Sequence, residues 1–333
     1  MLQRFDSLPG PRSYIVTPAT PGLHHVTAIA GDPQDNADFY VGILGLRFVK
    51  RTVNHDDVGT YHFYFGDGEG TPGTNITFFP WTETGRDGRF GAGQTAATAY
   101  LIPEESVDYW ADRLTGAGVE VDRRRRFGET VLQFDDPDGV TLELVANEAA
   151  ESRATPWPDG PVPEDHQLRG FYSVTLAVAD IEPTAEILTD VLGYELAAGA
   201  DGRQRYRAAG EGPGSVLDLI ETDAGRGQMG VGTVHHVAFK ARDTEAQEQY
   251  RDAFADRGLG VSELIDRKYF QSIYCREPGG VLFEIATPEP GFTADEPLDE
   301  LGSSLRLPEW LEDRRGEIER KLPAFDAAAV PDE

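Results

Sequence analysis

Cysteine is almost absent from this 333-residue chain, Cys275 being the only one. That excludes an internal disulfide and a cysteine-rich metal centre, and Cys275 itself reads as a buried, inert side chain. No run of about 18 apolar residues occurs, so no segment reads as spanning a membrane. The opening segment, MLQRFDSLPGPRSYIVTPATPG, lacks the apolar core of a signal peptide. It reads as a leading arm over residues 1–21, and the cytoplasm is the expected compartment. Lysine is scarce too: it occurs only at Lys50, Lys240, Lys268 and Lys321, and arginine supplies the rest of the 30 basic side chains. Against 58 acidic residues the net charge is −28. So acidic a surface argues against nucleic acid, whose phosphates need clustered Lys and Arg. The acids are spread along the chain rather than gathered in a tail. That is the pattern of a halophilic protein, for which strong screening makes a like-charge excess tolerable.

What the chain does have is an internal repeat. HVTAIAGD at 25–32, SVTLAVAD at 173–180 and HVAFKARD at 236–243 share one frame, with an aspartate seven places after the first residue. A weaker copy begins near Ala97 and closes at DDPDGVTLELV. In each, a short strand rich in apolar and β-branched residues comes first. The aspartate then stands at a helix cap, and Asp32-Pro33 puts proline at the first helical position. An amphipathic helix of about three turns follows and stops near a glycine, as at Gly45, Gly193 and Gly258. Further strands complete the unit, the last introduced by turns such as EPGG at 277–280 and DPDG at 136–139. The reading is α+β: four βαβββ modules, two to each half. The halves are expected over 22–146 and 168–290, with a Pro-rich linker over 147–167 between them. An acidic extension covers 291–333, with one helix near PEWLEDRRGEIERKL.

Strand alternation sorts the histidines. Val26, Ala28 and Ala30 form one apolar set, as do Val237, Phe239 and Ala241, so each packs under its own helix. His25 and His236 fall on the opposite face, at the same position of their repeats. In the closing strand Val281, Phe283 and Ile285 are the apolar set, which leaves Glu284 facing with the histidines. Two histidines and a carboxylate make a facial metal triad with adjacent positions open, a set suited to non-haem Fe(II). Other units lack it: Ser173 and Ala97 replace histidine, Glu143 matches Glu284 without a histidine, and Phe78 stands where a first-unit carboxylate would fall. One complete site requires the first and fourth units to share a cleft, and the second and third to pair. His24 and His235 precede the ligands and read as support for them. His62 reads as a barrel-lining residue that contacts substrate, His55 and His166 as loop residues. Tyr274, in register with Ser272, is the candidate for handling protons.

LHHVTAIAGDPQDNADFYVGILGLRFVKRTVNHDD, GTYHFYFGDGEGTPGTNITFFPW, GQMGVGTVHHVAFKARD and GGVLFEIATPEPGF closely resemble the hydroquinone-type ring-cleaving dioxygenases. These belong to the glyoxalase/bleomycin-resistance/extradiol-dioxygenase (vicinal-oxygen-chelate) superfamily. The resemblance runs over about residues 20–325. It implies two glyoxalase-like open barrels, and it implies iron bound by the second histidine of each HH pair and the glutamate of GGVxFE, here His25, His236 and Glu284. Mn(II) is the alternative ion. It also implies Tyr274 as the active-site tyrosine, with His24 helping to steer protons. Some relatives carry a longer segment with an extra arginine before the counterpart of Tyr269, so Arg267 in DRKYFQSIY stands in as the substrate-binding arginine. The implied partners are a small aromatic diol and O2; the sequence leaves the oligomeric state open, the C-terminal extension being a segment able to cover another subunit in a homo-oligomer. Two other classes compete: a glyoxalase-like lyase using Zn or Ni with a fourth protein ligand, and a metal-free small-molecule binder.

Overall fold

The structure is a computed structural model. It describes residues 17–82, 85–148, 150, 154–210 and 214–330. Most of the expected leading arm, and residues 149 and 151–153 of the expected linker, lie outside those residues. The rest of the arm is tied down, Thr17 Oγ1 donating to Val191 O (2.5 Å) and Thr20 Oγ1 to Lys240 O (2.8 Å).

Four units follow one another. The first is β1 (Leu23–Ala30), α1 (Pro33–Ala37), β2 (Arg47–Val53), β3 (Tyr61–Gly66) and β4 (Asn75–Pro80). A π-helical stretch, Asp38–Ile43, prolongs α1. The second is β5 (Gln94–Ile102), α2 (Val107–Gly116), β6 (Asp122–Arg126), β7 (Glu129–Asp135) and β8 (Thr141–Ala146). The third is β9 (Phe171–Val178), α3 (Ile181–Asp190), β10 (Glu195–Ala200), β11 (Arg203–Arg207) and β12 (Val216–Glu221). The fourth is β13 (Thr233–Lys240), α4 (Thr244–Asp256), β14 (Ile265–Asp266), β15 (Gln271–Arg276) and β16 (Leu282–Ala286). The aspartates at the repeat's cap position do what short acidic side chains do there. Asp32, Asp180 and Asp243 each accept backbone N–H groups of the following first turn. Gly45 ends the first helical stretch at φ +68°, and a Cβ there would lie 2.4 Å from Val162 of the connecting segment. Only glycine serves both needs.

The units pair across the chain rather than along it. One eight-stranded sheet runs β14-β15-β16-β13-β1-β4-β3-β2, joining the fourth unit to the first. The other runs β10-β11-β12-β9-β5-β8-β7-β6, joining the third to the second. This is the α+β architecture of two glyoxalase-like open barrels, in the pairing that the ligand set requires. The helices cover the outer faces: on α4, Tyr250, Ala253 and Phe254 are buried on the side that meets the core, where Phe239 and Phe283 lie 4.8 Å apart between ring centroids.

Two expectations need correcting. Phe78 is not the first-unit counterpart of Glu284. In the fourth unit Glu284 pairs with Ala238, and in the first the pair at that level is Thr27 with Thr77. Counting from the turn proline is one residue out, so alternation sends Phe78 to the core against Tyr40 (4.6 Å between centroids) and turns Thr77 inward. The C-terminal extension carries two short helices rather than one, α5 (Glu309–Glu312) and α6 (Arg315–Lys321). Asp313, a poor helix former, stands at the break, and the poor former Gly316 falls in the first turn of α6.

That extension wraps the first barrel. Leu305 bridges to Arg51 of β2, and Phe325 packs on Phe63 (4.8 Å between centroids). Lys50 is fully buried and donates to Asp295 (2.9 Å) and Glu296 (2.5 Å). Among the described residues no helix is long and apolar enough to cross a membrane.

Candidate metal centre

His25 on β1, His236 on β13 and Glu284 on β16 meet inside the first barrel, all buried. His25 Nε2 and His236 Nε2 are 3.2 Å apart, and Glu284 Oε2 lies 3.4 Å from the first and 2.9 Å from the second. Ligand atoms about 2.0–2.2 Å from one ion and at right angles around it stand about 3 Å apart, so these spacings fit three adjacent corners of an octahedron. Glu284 Oε2 is buried yet accepts no hydrogen bond in good geometry. The two imidazole nitrogens and this oxygen all face one point and lie within 4.8 Å of one another. The donor set fits a divalent cation.

The surroundings fix the chemical state of each ligand. Ser272 Oγ donates to Glu284 Oε1 (2.5 Å), leaving Oε2 free to face the histidines. Burial alone would raise the Glu284 carboxyl, but the facing His25 and His236 rings hold it well below the ordinary range, so it is ionised. Burial, together with the neighbouring His25, keeps His24 far below the usual imidazole value, hence neutral. Its Nε2 lies 3.1 Å from Thr287 O, which can only accept, so Nε2 carries the proton and Nδ1 the lone pair. That lone pair, 2.9 Å away, accepts from His25 Nδ1–H, which leaves the His25 Nε2 lone pair free for a metal. His235 repeats the arrangement, its Nδ1 lying 2.8 Å from His236 Nδ1. The doublets differ in one respect: His24 lies behind its partner, whereas the half-buried His235 also lines the cavity into which the triad opens.

The triad opens into a cavity of about 160 Å³. A cavity of about 150 Å³ takes a benzene, so one substituted ring fits. Four of the residues singled out beyond the ligands gather differently. Tyr274, Arg267 and His62 line the cavity, whereas His24 does not and touches it only through His25. Arg267 Nε donates to Tyr274 Oη (3.1 Å) and its Nη2 to Asp56 (3.1 Å). Burial pushes the Tyr274 phenol far above its ordinary value, so it stays protonated. His62 lies 2.9 Å from Thr77 Oγ1 through Nε2 and 2.9 Å from Tyr64 Oη through Nδ1. Tyr64, Phe270 and His55 also line the cavity and were not singled out for the site by the sequence. His55 is the loop residue expected, and burial lowers its pKa to about 4. Phe270 stacks at a tilt on His25 (5.1 Å between centroids) and shields the site from one side. A larger open cleft of about 1000 Å³ lies around Glu221 and Pro278, but it contains no histidine. Size alone does not mark the site.

At the equivalent place in the second barrel, guanidinium groups stand instead of imidazoles. Arg126 makes two 2.7 Å bonds to Glu143, and Arg205 clasps Asp218 at 2.9 and 3.1 Å. Ser173 and Ala97 are buried there without ligating groups. Among the described residues, His25, His236 and Glu284 form the one candidate metal cluster.

Two barrels of this topology, with a candidate metal cluster in one of them, define the class: the chain belongs to the Glyoxalase/Bleomycin resistance protein/Dioxygenase superfamily, matched over residues 22–144 and 170–285. Within it, the chain is 47% identical over 307 residues to the "Putative ring-cleaving dioxygenase MhqO" of Bacillus subtilis, covering 92% of this chain and 97% of that protein. It is 38% identical over 311 residues to the chlorohydroquinone/hydroquinone 1,2-dioxygenase of Sphingobium indicum, covering 90% and 95%. The crystal structure of a "putative dioxygenase" from Bacillus subtilis superposes with a TM-score of 0.89 at 46% identity, covering 92% of this chain and 98% of that one. Glyoxalase I from Zea mays shares the fold, with a TM-score of 0.61 at 15% identity over 80% of this chain and 92% of that one.

Proposed function

We propose that this chain is a metal-dependent ring-cleaving dioxygenase that opens a single-ring, hydroquinone-type aromatic diol with O2, Fe(II) being its ion and Mn(II) the alternative. The observation that carries the reading is the convergence of His25, His236 and Glu284 on one buried point beside a cavity of one-ring size. The one relative cited above that is named for hydroquinone supports the para-diol over catechol. A bound ion would supply adjacent open positions and lower the proton affinity of the diol hydroxyl.

This chain's residues would do the rest. His25, His236 and Glu284 hold the ion on one side only, leaving the cavity side to substrate. Phe270 and Phe79 flank the ring space and exclude water from it. Arg267 fixes the Tyr274 hydroxyl, which holds a proton at Oη where it can be handed to an oxygen of the opening ring. His62, whose Nε2 and Nδ1 are occupied by Thr77 and Tyr64, is a rigid wall rather than a base. A glyoxalase-like lyase would need a fourth protein ligand, and the inward residue of the first unit is the neutral Thr77.

The test is oxygen uptake by protein prepared anaerobically in high salt, loaded with Fe(II), and offered hydroquinone and catechol in parallel. Uptake with hydroquinone, accompanied by a ring-opened absorbance and lost in His236→Ala, is expected. Bound iron with no uptake on either diol would overturn the reading.

A further inference from the structure

The loop between β14 and β15 is four residues long, Arg267 to Phe270, and its residues face two ways. Arg267 and Phe270 line the cavity. Lys268 and Tyr269 turn the opposite way, into the C-terminal extension. Lys268 Nζ pairs with Asp295 Oδ2 (2.5 Å) and donates to Leu307 O (2.9 Å). The fully buried Tyr269 donates from its hydroxyl to the same Asp295 Oδ2 (3.1 Å), and Gly291 N donates to Tyr269 O (2.8 Å).

Lys268 also holds a backbone conformation that a lysine seldom adopts, φ +72°. Asp266 Oδ1 accepts its N–H (2.7 Å) and Arg267 N donates across the loop to Phe270 O (2.9 Å). A strained residue persists when its surroundings over-determine it. Here the side chain of the strained residue is anchored to Asp295 and to Leu307, the latter 39 residues further along the chain.

We propose that Asp295 is a positioning residue, a latch through which the C-terminal extension sets Arg267 and Phe270 in the cavity. Asp295 gathers three donors: Lys268 and Tyr269 from the loop, and the buried Lys50 from β2. It therefore clamps the loop to the opposite edge strand of the same sheet, β14 and β2 being the two ends of the strand order. With the latch closed, the Arg267 guanidinium stays on Tyr274 and Asp56. With it open, the loop loses its tie to β2 and keeps only the flanking strands, the Lys268 bond to Leu307 O and the Gly291 bond to Tyr269 O, and Arg267 is less firmly placed. The role of Arg267 toward substrate rests on the ring-cleaving reading. The latch itself does not.

The experiment compares Asp295→Ala, Lys268→Gly and Lys268→Arg in the full-length, metal-loaded protein. Lys268→Gly relieves the backbone and removes the ammonium, so it separates the latch from mere loop shape. Amide exchange over residues 265–272 is expected to quicken by about tenfold in Asp295→Ala and Lys268→Gly, with metal content unchanged and Lys268→Arg close to the parent. The KM for hydroquinone is expected to rise about tenfold while kcat moves less than about twofold. In an Arg267→Ala background, Asp295→Ala should then add nothing further to KM. Unchanged exchange overturns the latch whatever the activity. Faster exchange with additive effects of Arg267→Ala and Asp295→Ala overturns the positioning of Arg267. Absence of oxygen uptake in the parent protein would overturn the proposed reaction alone, since exchange still decides the latch.

Discussion

His24 and His25 are neighbours in sequence whose rings meet edge to face, Nδ1 to Nδ1 at 2.9 Å, so that the first can set the proton of the second. His24 has no place on the cavity wall. Its hold on Thr287 O fixes which nitrogen of His25 is bare.

Replacing His24 by alanine should therefore weaken metal binding about 10- to 100-fold while leaving the fold intact. Competition against a chelator of known affinity measures this. Affinity equal to that of the parent protein would show that His25 needs no help in choosing its tautomer.

Tyr274→Phe removes one hydroxyl from the cavity and the acceptor of Arg267 Nε. Turnover of the diol should fall about 100-fold or more, with metal content unchanged. Steady-state kinetics separate the roles: a loss confined to KM would make Tyr274 an orienting group and not a proton donor.

Asp136 is buried, accepts from Tyr40 (3.0 Å) and from two backbone N–H groups, and burial raises its pKa to about 7. The folded carboxyl keeps its proton between about pH 4 and pH 7, where an unfolded one has lost it. The folded state binds more protons in that window, so this group's contribution to stability falls as pH rises through it and is flat above. Asp136→Asn preserves both backbone bonds and should remove that slope, gaining on the order of 3 kcal/mol relative to the parent at pH 8. Urea unfolding at pH 5 and pH 8 measures the difference. An identical difference in stability at both pH values would refute it.

Asp218→Ala removes the carboxylate shared by Arg203 and Arg205 in the second barrel, leaving Arg205 with Glu129 alone and Arg203 with the neutral Thr175. A loss of about 3 kcal/mol is expected in denaturant, with metal content per chain unchanged. Loss of metal in that variant would mean that the second barrel shapes the site of the first.

The repeat was legible because strand, cap, helix and glycine recur in a fixed frame, and because alternation leaves His25, His236 and Glu284 out of the apolar sets. Pairing of first with fourth unit followed from the ligands alone. The misplacement of Phe78 has a simple cause: a one-residue difference in the turn before β4 reverses every side chain after it, and no count from proline reveals that. His55, Tyr64 and Phe270 escaped for another reason. They come from a loop, a strand and a hairpin tip that carry no shared period, and only the closed barrel brings them together. The extension hid its two short helices in one amphipathic stretch.

The two imidazoles of the centre come from positions 211 residues apart, and the carboxylate lies later still. A chain emerging from the ribosome can therefore complete its second barrel, units two and three, while the first unit still waits for its partner. Until the last unit is synthesised, β1 has a bare edge where β13 will pair, and no ion can be held by all three groups. Such late, long-range closure is slow, and it leaves an apolar edge open during synthesis. It also means that a chain ended before Glu284 lacks part of the candidate site. Only a polypeptide that has passed that residue can bring all three groups together.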